Sequence, residues 1–163
     1  MNERMVLVVM HRRERLWDAL CERTCELAPY LEHIESAELK SREITTQGLT
    51  RCVHVWRARG NVPAILAHHI DKGLLEWTGR TEWRANDYVS RWVVEPRSMK
   101  DSALCEAAMR FTPAVGGRGT RVDLDLALNA FPGTAGLRTI TSTILSTHFR
   151  KLVDAAGRLI ADG

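Results

Sequence analysis

The sequence predicts an α+β fold in which a curved antiparallel sheet wraps around one long C-terminal helix, with two short helices after the first strand. Two observations carry this prediction. Between residues 37 and 130, short segments alternate apolar and polar side chains between turn residues, the signature of paired strands. From about 134 to 161, Leu137, Ile140, Ile144, Leu145, His148, Phe149, Leu152, Leu159 and Ile160 follow a 3.6-residue period. At a rise of 1.5 Å per residue such a helix is about 40 Å long, enough to cross a whole sheet.

The elements follow in order. Residues 5–10 are short and β-branched-rich, which reads as a first strand. From 14 to about 33, Leu16, Trp17, Leu20, Cys21, Thr24, Leu27 and Leu31 recur near helical spacing, and Pro29 marks a break between two helices. Strands over 37–45 and 50–58 join at Gln47-Gly48, where glycine accepts the positive φ of a two-residue turn. That turn pairs Glu43 with Cys52, Ser41 with His54 and Leu39 with Trp56, all on one face, and sends Lys40, Arg42, Arg51 and Arg57 to the other. Residues 62–70 read as a short helix or crossover. A second hairpin, 74–83 with 88–94 around Arg84-Ala85-Asn86-Asp87, places Trp92 opposite Gly79, where the missing side chain leaves room for an indole. The last hairpin, 103–111 with 120–130, turns Met109, Phe111, Val122 and Leu124 inward and Asp123 and Asp125 outward. Pro132-Gly133 ends the sheet.

The 163 residues suit one domain spanning 1–163, since no composition break, repeat or low-complexity tract marks a boundary. A hydrophobic fraction of 45% and a charged fraction of 26% are those of an ordinary globular chain. The net charge of +3 is spread over scattered arginines rather than gathered in a basic stripe, so no nucleic-acid partner is expected. The apolar run at 5–10 is too short for a signal sequence, and no stretch approaches the roughly 18 apolar residues of a spanning helix. A cytoplasmic location without stable membrane insertion follows as the expectation, with a homodimer left open. Cys21, Cys25, Cys52 and Cys105 lack zinc-site spacing and read as reduced, buried thiols. His68-His69 with Asp71 falls short of a metal site, because adjacent histidines point to different sides of a backbone and a catalytic zinc needs three placed ligands. Neither metal nor cofactor is expected.

The order of strand, helix pair, antiparallel strands and long C-terminal helix resembles the START-like, helix-grip (SRPBCC) superfamily of lipid-transfer proteins, polyketide cyclases and ubiquinone-binding proteins. The residues that carry the resemblance are Arg15-Leu16-Trp17-Asp18-Ala19-Leu20, Ala28-Pro29-Tyr30-Leu31, Gly119-Thr120-Arg121-Val122 and Phe131-Pro132-Gly133. It covers nearly the whole chain, and it implies a tunnel between the concave sheet face and the helix.

The residues supply walls for such a tunnel independently. Trp56, Trp77, Trp83, Tyr88, Trp92, Met109 and Phe111 fall on inward strand positions, with Ile144 and His148 on the helix. These rings either fill a core or line a pocket for a lipid, isoprenoid quinone or polyketide-like aromatic. Ser41, Glu43 and His54 are the polar exceptions on the first hairpin's inward face. Cross-strand diagonals of roughly 7–8 Å would let Glu43 orient the His54 imidazole as an acid/base pair, the basis of an alternative reading as a cyclase/aromatase or dehydratase. The competing reading leaves Glu43 hydrated near the hairpin tip. A third alternative is a regulatory protein-interaction module with a vestigial cavity. The outward arginines Arg57, Arg80, Arg91, Arg110 and Arg121 alternate with Glu76, Glu82, Glu95, Glu106 and Asp123, the pattern of cross-strand ion pairs on a wet face.

Overall fold

The structure is a computed structural model that describes residues 2–59, 75–97, 104–129 and 135–163, with backbone only at 135–138, 140 and 141. The expected crossover at 62–70, His68, His69 and Asp71, and Pro132-Gly133 lie outside the described residues. The elements run β1 (Asn2–Val9), α1 (Arg13–Glu22), a 3₁₀ segment (Thr24–Tyr30), β2 (Ile34–Ile44), β3 (Leu49–Ala58), β4 (Glu76–Arg84), β5 (Val89–Pro96), β6 (Cys105–Ala114), β7 (Gly119–Leu128) and α2 (Ala135–Asp162).

Among the described residues seven strands form one antiparallel sheet in the order β1-β7-β6-β5-β4-β3-β2. The consecutive strands β1 and β2 therefore lie at opposite edges, and α1 with the 3₁₀ segment must cross the sheet's width to join them. This is the expected curved sheet with its long helix and two short ones. Helix α2 comes close to α1, the 3₁₀ segment and β1, so long side chains fill the gap above the middle strands. Polar contacts hold it along its length: Ser142 donates to Glu3 at 2.8 Å, and Tyr30 donates to Asp162 at 2.8 Å. The break after α1 comes at Arg23 rather than at Pro29, which sits inside the 3₁₀ segment. Thr24 donates its hydroxyl to the Leu20 carbonyl at 2.6 Å, meeting an acceptor that the ended helix leaves open.

Alternation on β3 to β7 follows the predicted faces. Cys52, His54, Trp56, Trp83, Trp92, Met109, Phe111, Val122 and Leu124 are buried, while Arg51, Arg57, Arg80, Arg91 and Asp125 are exposed. The outer face carries ion pairs Arg4–Asp125 (3.0 Å), Arg80–Glu95 (3.2 Å), Arg57–Glu76 (3.7 Å) and Arg121–Asp123 (2.9 Å). At such exposure each contributes at most about 1 kcal/mol.

Both of the first two hairpins differ from the predicted register. In the first, the Thr45 and Leu49 backbones close a three-residue loop that ends in Gly48 at φ 77, so the tip pairs are Ile44 with Thr50 and Glu43 with Arg51. The pairing then slips between Leu39 and Ser41, where Lys40 is the extra residue of a bulge. In the second, Arg84 pairs with Val89, the loop runs over 85–88, and Gly79 faces Val94 and His54 while Trp92 faces Thr81. The indole that uses the space over Gly79 is thus Trp56, not Trp92. A β-carbon at Gly79 would sit 3.1 Å from Trp56 Nε1 and 3.3 Å from its Cδ1, tighter than most packed contacts, so the indole, itself packed against Trp77 and His148, must give by a few tenths of an ångström. Gly79→Ala is therefore expected to lower stability by about 1–3 kcal/mol in urea denaturation. Unchanged stability would show that the indole is free to move off the strand.

Candidate functional site

The inner face of the sheet carries a continuous run of ring contacts. At one end, Trp17 of α1 stands edge-on to Trp83 (5.0 Å between centroids), Tyr88 (5.2 Å) and Phe111 (5.3 Å), and the Arg13 guanidinium covers Tyr88 at 3.8 Å. Trp83 meets Trp92 at 5.3 Å, and Trp92 meets Phe149 of α2 at 5.8 Å. The Trp92 indole donates to Ser90 Oγ at 2.9 Å, so its one polar atom is satisfied inside. With Met109 fully buried beside them, these rings form packed core.

The other end is different in kind. Trp56 and Trp77 are a directly opposed pair on β3 and β4, with planes 5° apart and centroids 6.3 Å apart, and Trp77 is only half-buried. His148 of α2 stands perpendicular to both, at 5.7 and 5.6 Å. Its Nδ1 lies 2.8 Å from Nε2 of His33, at the entry to β2, in a hydrogen bond whose donor depends on the tautomers. His54 lies beyond Trp56 at 6.4 Å. Together these residues make an indole platform surrounded by three imidazoles.

Burial keeps those imidazoles neutral. It pushes His148 down to about 3, helped by neighbouring His33, and it lowers His33, helped by Lys151. Burial alone lowers His54. No carboxylate among the described residues is paired with any of the three. Burial likewise raises the thiols of Cys21 and Cys52, and that of Cys105 to about 12, so none is a ready nucleophile. The arrangement offers ring surface and neutral hydrogen-bonding nitrogens rather than charge.

Several predicted site residues lie elsewhere. The three-residue loop turns Ser41 and Glu43 to the outer face, where Ser41 faces Val53, and Glu43 faces Arg51 and pairs with it at 3.8 Å; beyond them the Lys40 bulge brings Leu39 opposite His54. Glu43 and His54 therefore occupy opposite faces of the sheet, and the acid/base pair expected from a two-residue turn does not form. Ser41 and Glu43 border an open depression of about 440 Å³ on that outer face, together with Arg51, Arg80, Glu82 and Arg91. A similar depression of about 450 Å³ lies over β1, β7, β6 and β5. Both are shallow and charged, unlike an apolar site. Ile144 is 40% exposed on α2 instead of facing the platform. Conversely, His33, Trp17 and Phe149 join the ring network without having been read as site residues. His33 lies 115 residues from His148, a separation that no local pattern spans.

No protein-family model matches the chain, and no curated protein matches it. Solved structures do. The crystal structure of TTHA0849 from Thermus thermophilus is 22% identical over the whole of both chains, with a TM-score of 0.70. The Zhui aromatase/cyclase from Streptomyces sp. R1128 is 12% identical with a TM-score of 0.68, over 96% of this chain and 91% of that one. Ara h 8.0201 is 11% identical with a TM-score of 0.66, over 100% and 99%. The chain has the helix-grip fold. In helix-grip terms the sheet is the grip and α2 the gripped helix, and the indole platform lies between them. Among the described residues no helix is long and apolar enough to cross a membrane.

Proposed function

We propose that the chain acts as one domain that binds a hydrophobic small molecule, such as a lipid, isoprenoid quinone or polyketide-like aromatic, between the inner sheet face and α2. The observation that carries this reading is the Trp56–Trp77 pair: two parallel indoles, one only half-buried, beside neutral imidazoles. Ligand sites are mostly apolar with a few placed polar groups, and this end of the inner face has that composition. The ligand-facing set is Trp56, Trp77, His54 and His148, backed by Trp83, Tyr88, Trp92, Met109 and Phe111 as packed support. The helix-grip fold, shared with a protein named an aromatase/cyclase, supports the reading at the level of architecture only.

Native mass spectrometry of freshly purified protein is expected to show a retained apolar adduct, and the neutral probe N-phenyl-1-naphthylamine is expected to bind with enhanced emission. Trp77→Ala should weaken that binding by up to about tenfold, the value of one aromatic contact. Protein that is consistently ligand-free and leaves the probe dark would sink the reading.

A further inference from the structure

We propose that His54 is the specificity-determining residue of this site, selecting ligands whose ring carries a neutral hydroxyl or carbonyl over ligands that end in a carboxylate. The inference rests on the ligand-binding reading above. His54 is only 3% exposed, yet its Nδ1 has no hydrogen-bond partner among the described residues. Buried polar atoms are nearly always paired, and one left unpaired costs about 1–3 kcal/mol. A second such atom lies close by. Thr81, 6% exposed, has no partner for its hydroxyl better than the weak thiol of Cys52 opposite it.

The register brings the two together. His54 faces Gly79 across β3 and β4, and Thr81 is two residues along from that glycine on the same inner face. Diagonal neighbours of this kind are roughly 7–8 Å apart at the backbone, so one ligand oxygen between the side chains can address both. Trp56, tilted beside His54 and lying over Gly79, and its parallel partner Trp77 supply the flat surface on which the ring bearing that oxygen would rest.

Charge decides the remaining preference. His54 is held neutral by burial, and the hydrogen-bonded His33 and His148 are neutral as well. Arg42, on the same face at the edge strand, is already engaged by Glu22 at 2.8 Å. Lys151 acts on His33, but among the described residues no cation acts on His54, so a carboxylate between His54 and Thr81 would lose its hydration with no described cation beside it, whereas a hydroxyl or carbonyl exchanges one neutral hydrogen bond for another.

The test is calorimetric binding, at pH 8, of three probes that share one bicyclic ring: 2-naphthol, 2-methylnaphthalene and 2-naphthoate. The native chain is expected to hold 2-naphthol about tenfold more tightly than 2-methylnaphthalene, the worth of one buried hydrogen bond, and to bind 2-naphthoate weakest. In His54→Phe the ratio of 2-naphthol to 2-methylnaphthalene affinity should fall from about ten toward one, whatever the absolute affinities of the variant. His54→Gln, which retains a hydrogen-bonding side chain, should keep part of the preference and guards against a folding failure of the first variant. Equal binding of naphthol and methylnaphthalene by the native chain, or an unchanged preference in His54→Phe, overturns the role of His54 while leaving apolar binding standing. If none of the three binds, this inference falls, and if N-phenyl-1-naphthylamine also stays dark and no adduct is retained, the ligand-binding reading falls with it.

Discussion

Trp83→Ala is expected to destabilise the chain by about 3–5 kcal/mol, read from the urea midpoint at an unchanged slope. Trp83 is 2% exposed and is held edge-to-face by Trp17 at 5.0 Å and by Trp92 at 5.3 Å. Those two rings come from α1 and β5, so no single element can move to close the space that the lost indole would leave. The cost is therefore the transfer term together with a largely unrelieved cavity term. Domains of this size keep only about 5–15 kcal/mol in hand, so the loss takes a large share of the total. Trp77→Ala, at the half-buried end of the same sheet face, should cost clearly less. If the two variants proved equally destabilising, the distinction between packed end and platform end would be wrong.

Stability is expected to fall with acid from an unusually high pH. His148, His33 and His54 all have folded-state values below the ordinary 6.5 of histidine, chiefly because they are buried. The unfolded chain therefore binds protons that the fold refuses, and lowering the pH favours unfolding. The sign gives full stability above about pH 7, with loss setting in below 6.5. For His148 the loss continues until its folded value of about 3 is reached. Each imidazole kept neutral contributes a slope of up to about 1.4 kcal/mol per pH unit. The groups facing the pair work in the same direction, since Lys151 opposes a charge on His33 and His33 opposes one on His148. Chemical denaturation between pH 6.5 and 5 isolates the effect, because unperturbed carboxylates titrate near 4. His148→Phe should make that slope shallower by about one proton's worth. An identical slope in the variant would mean that His148 is protonated within the fold.

Much of the inner face was legible before any coordinates. On β3 the residues Cys52, His54 and Trp56 point inward because side chains alternate with a period of two, whichever strand lies beside them. The same local rule placed Trp83, Trp92, Met109 and Phe111, and the helical period placed His148 and Phe149 on the covered side of α2. What failed was every statement that depended on register. One added loop residue ahead of Leu49 carried Ser41 and Glu43 through to the outer face, and with them the carboxylate that would have served His54, while the bulge at Lys40 returned Leu39 to pair with His54. The space over Gly79 was correctly anticipated and assigned to the wrong indole for the same reason.

The amino-acid order by itself determined the class of fold, the faces of the central strands and the length of the closing helix, because those follow from periodicities that each segment carries within itself. Tertiary structure alone decided which side chains meet: His33 with His148, Trp17 with Trp83, Trp56 over Gly79. Such meetings depend on loop lengths, bulges and the crossing of α1 and α2 over the sheet. Those are set by the packing of the whole chain, and a change of one residue in any of them moves a side chain to the opposite face.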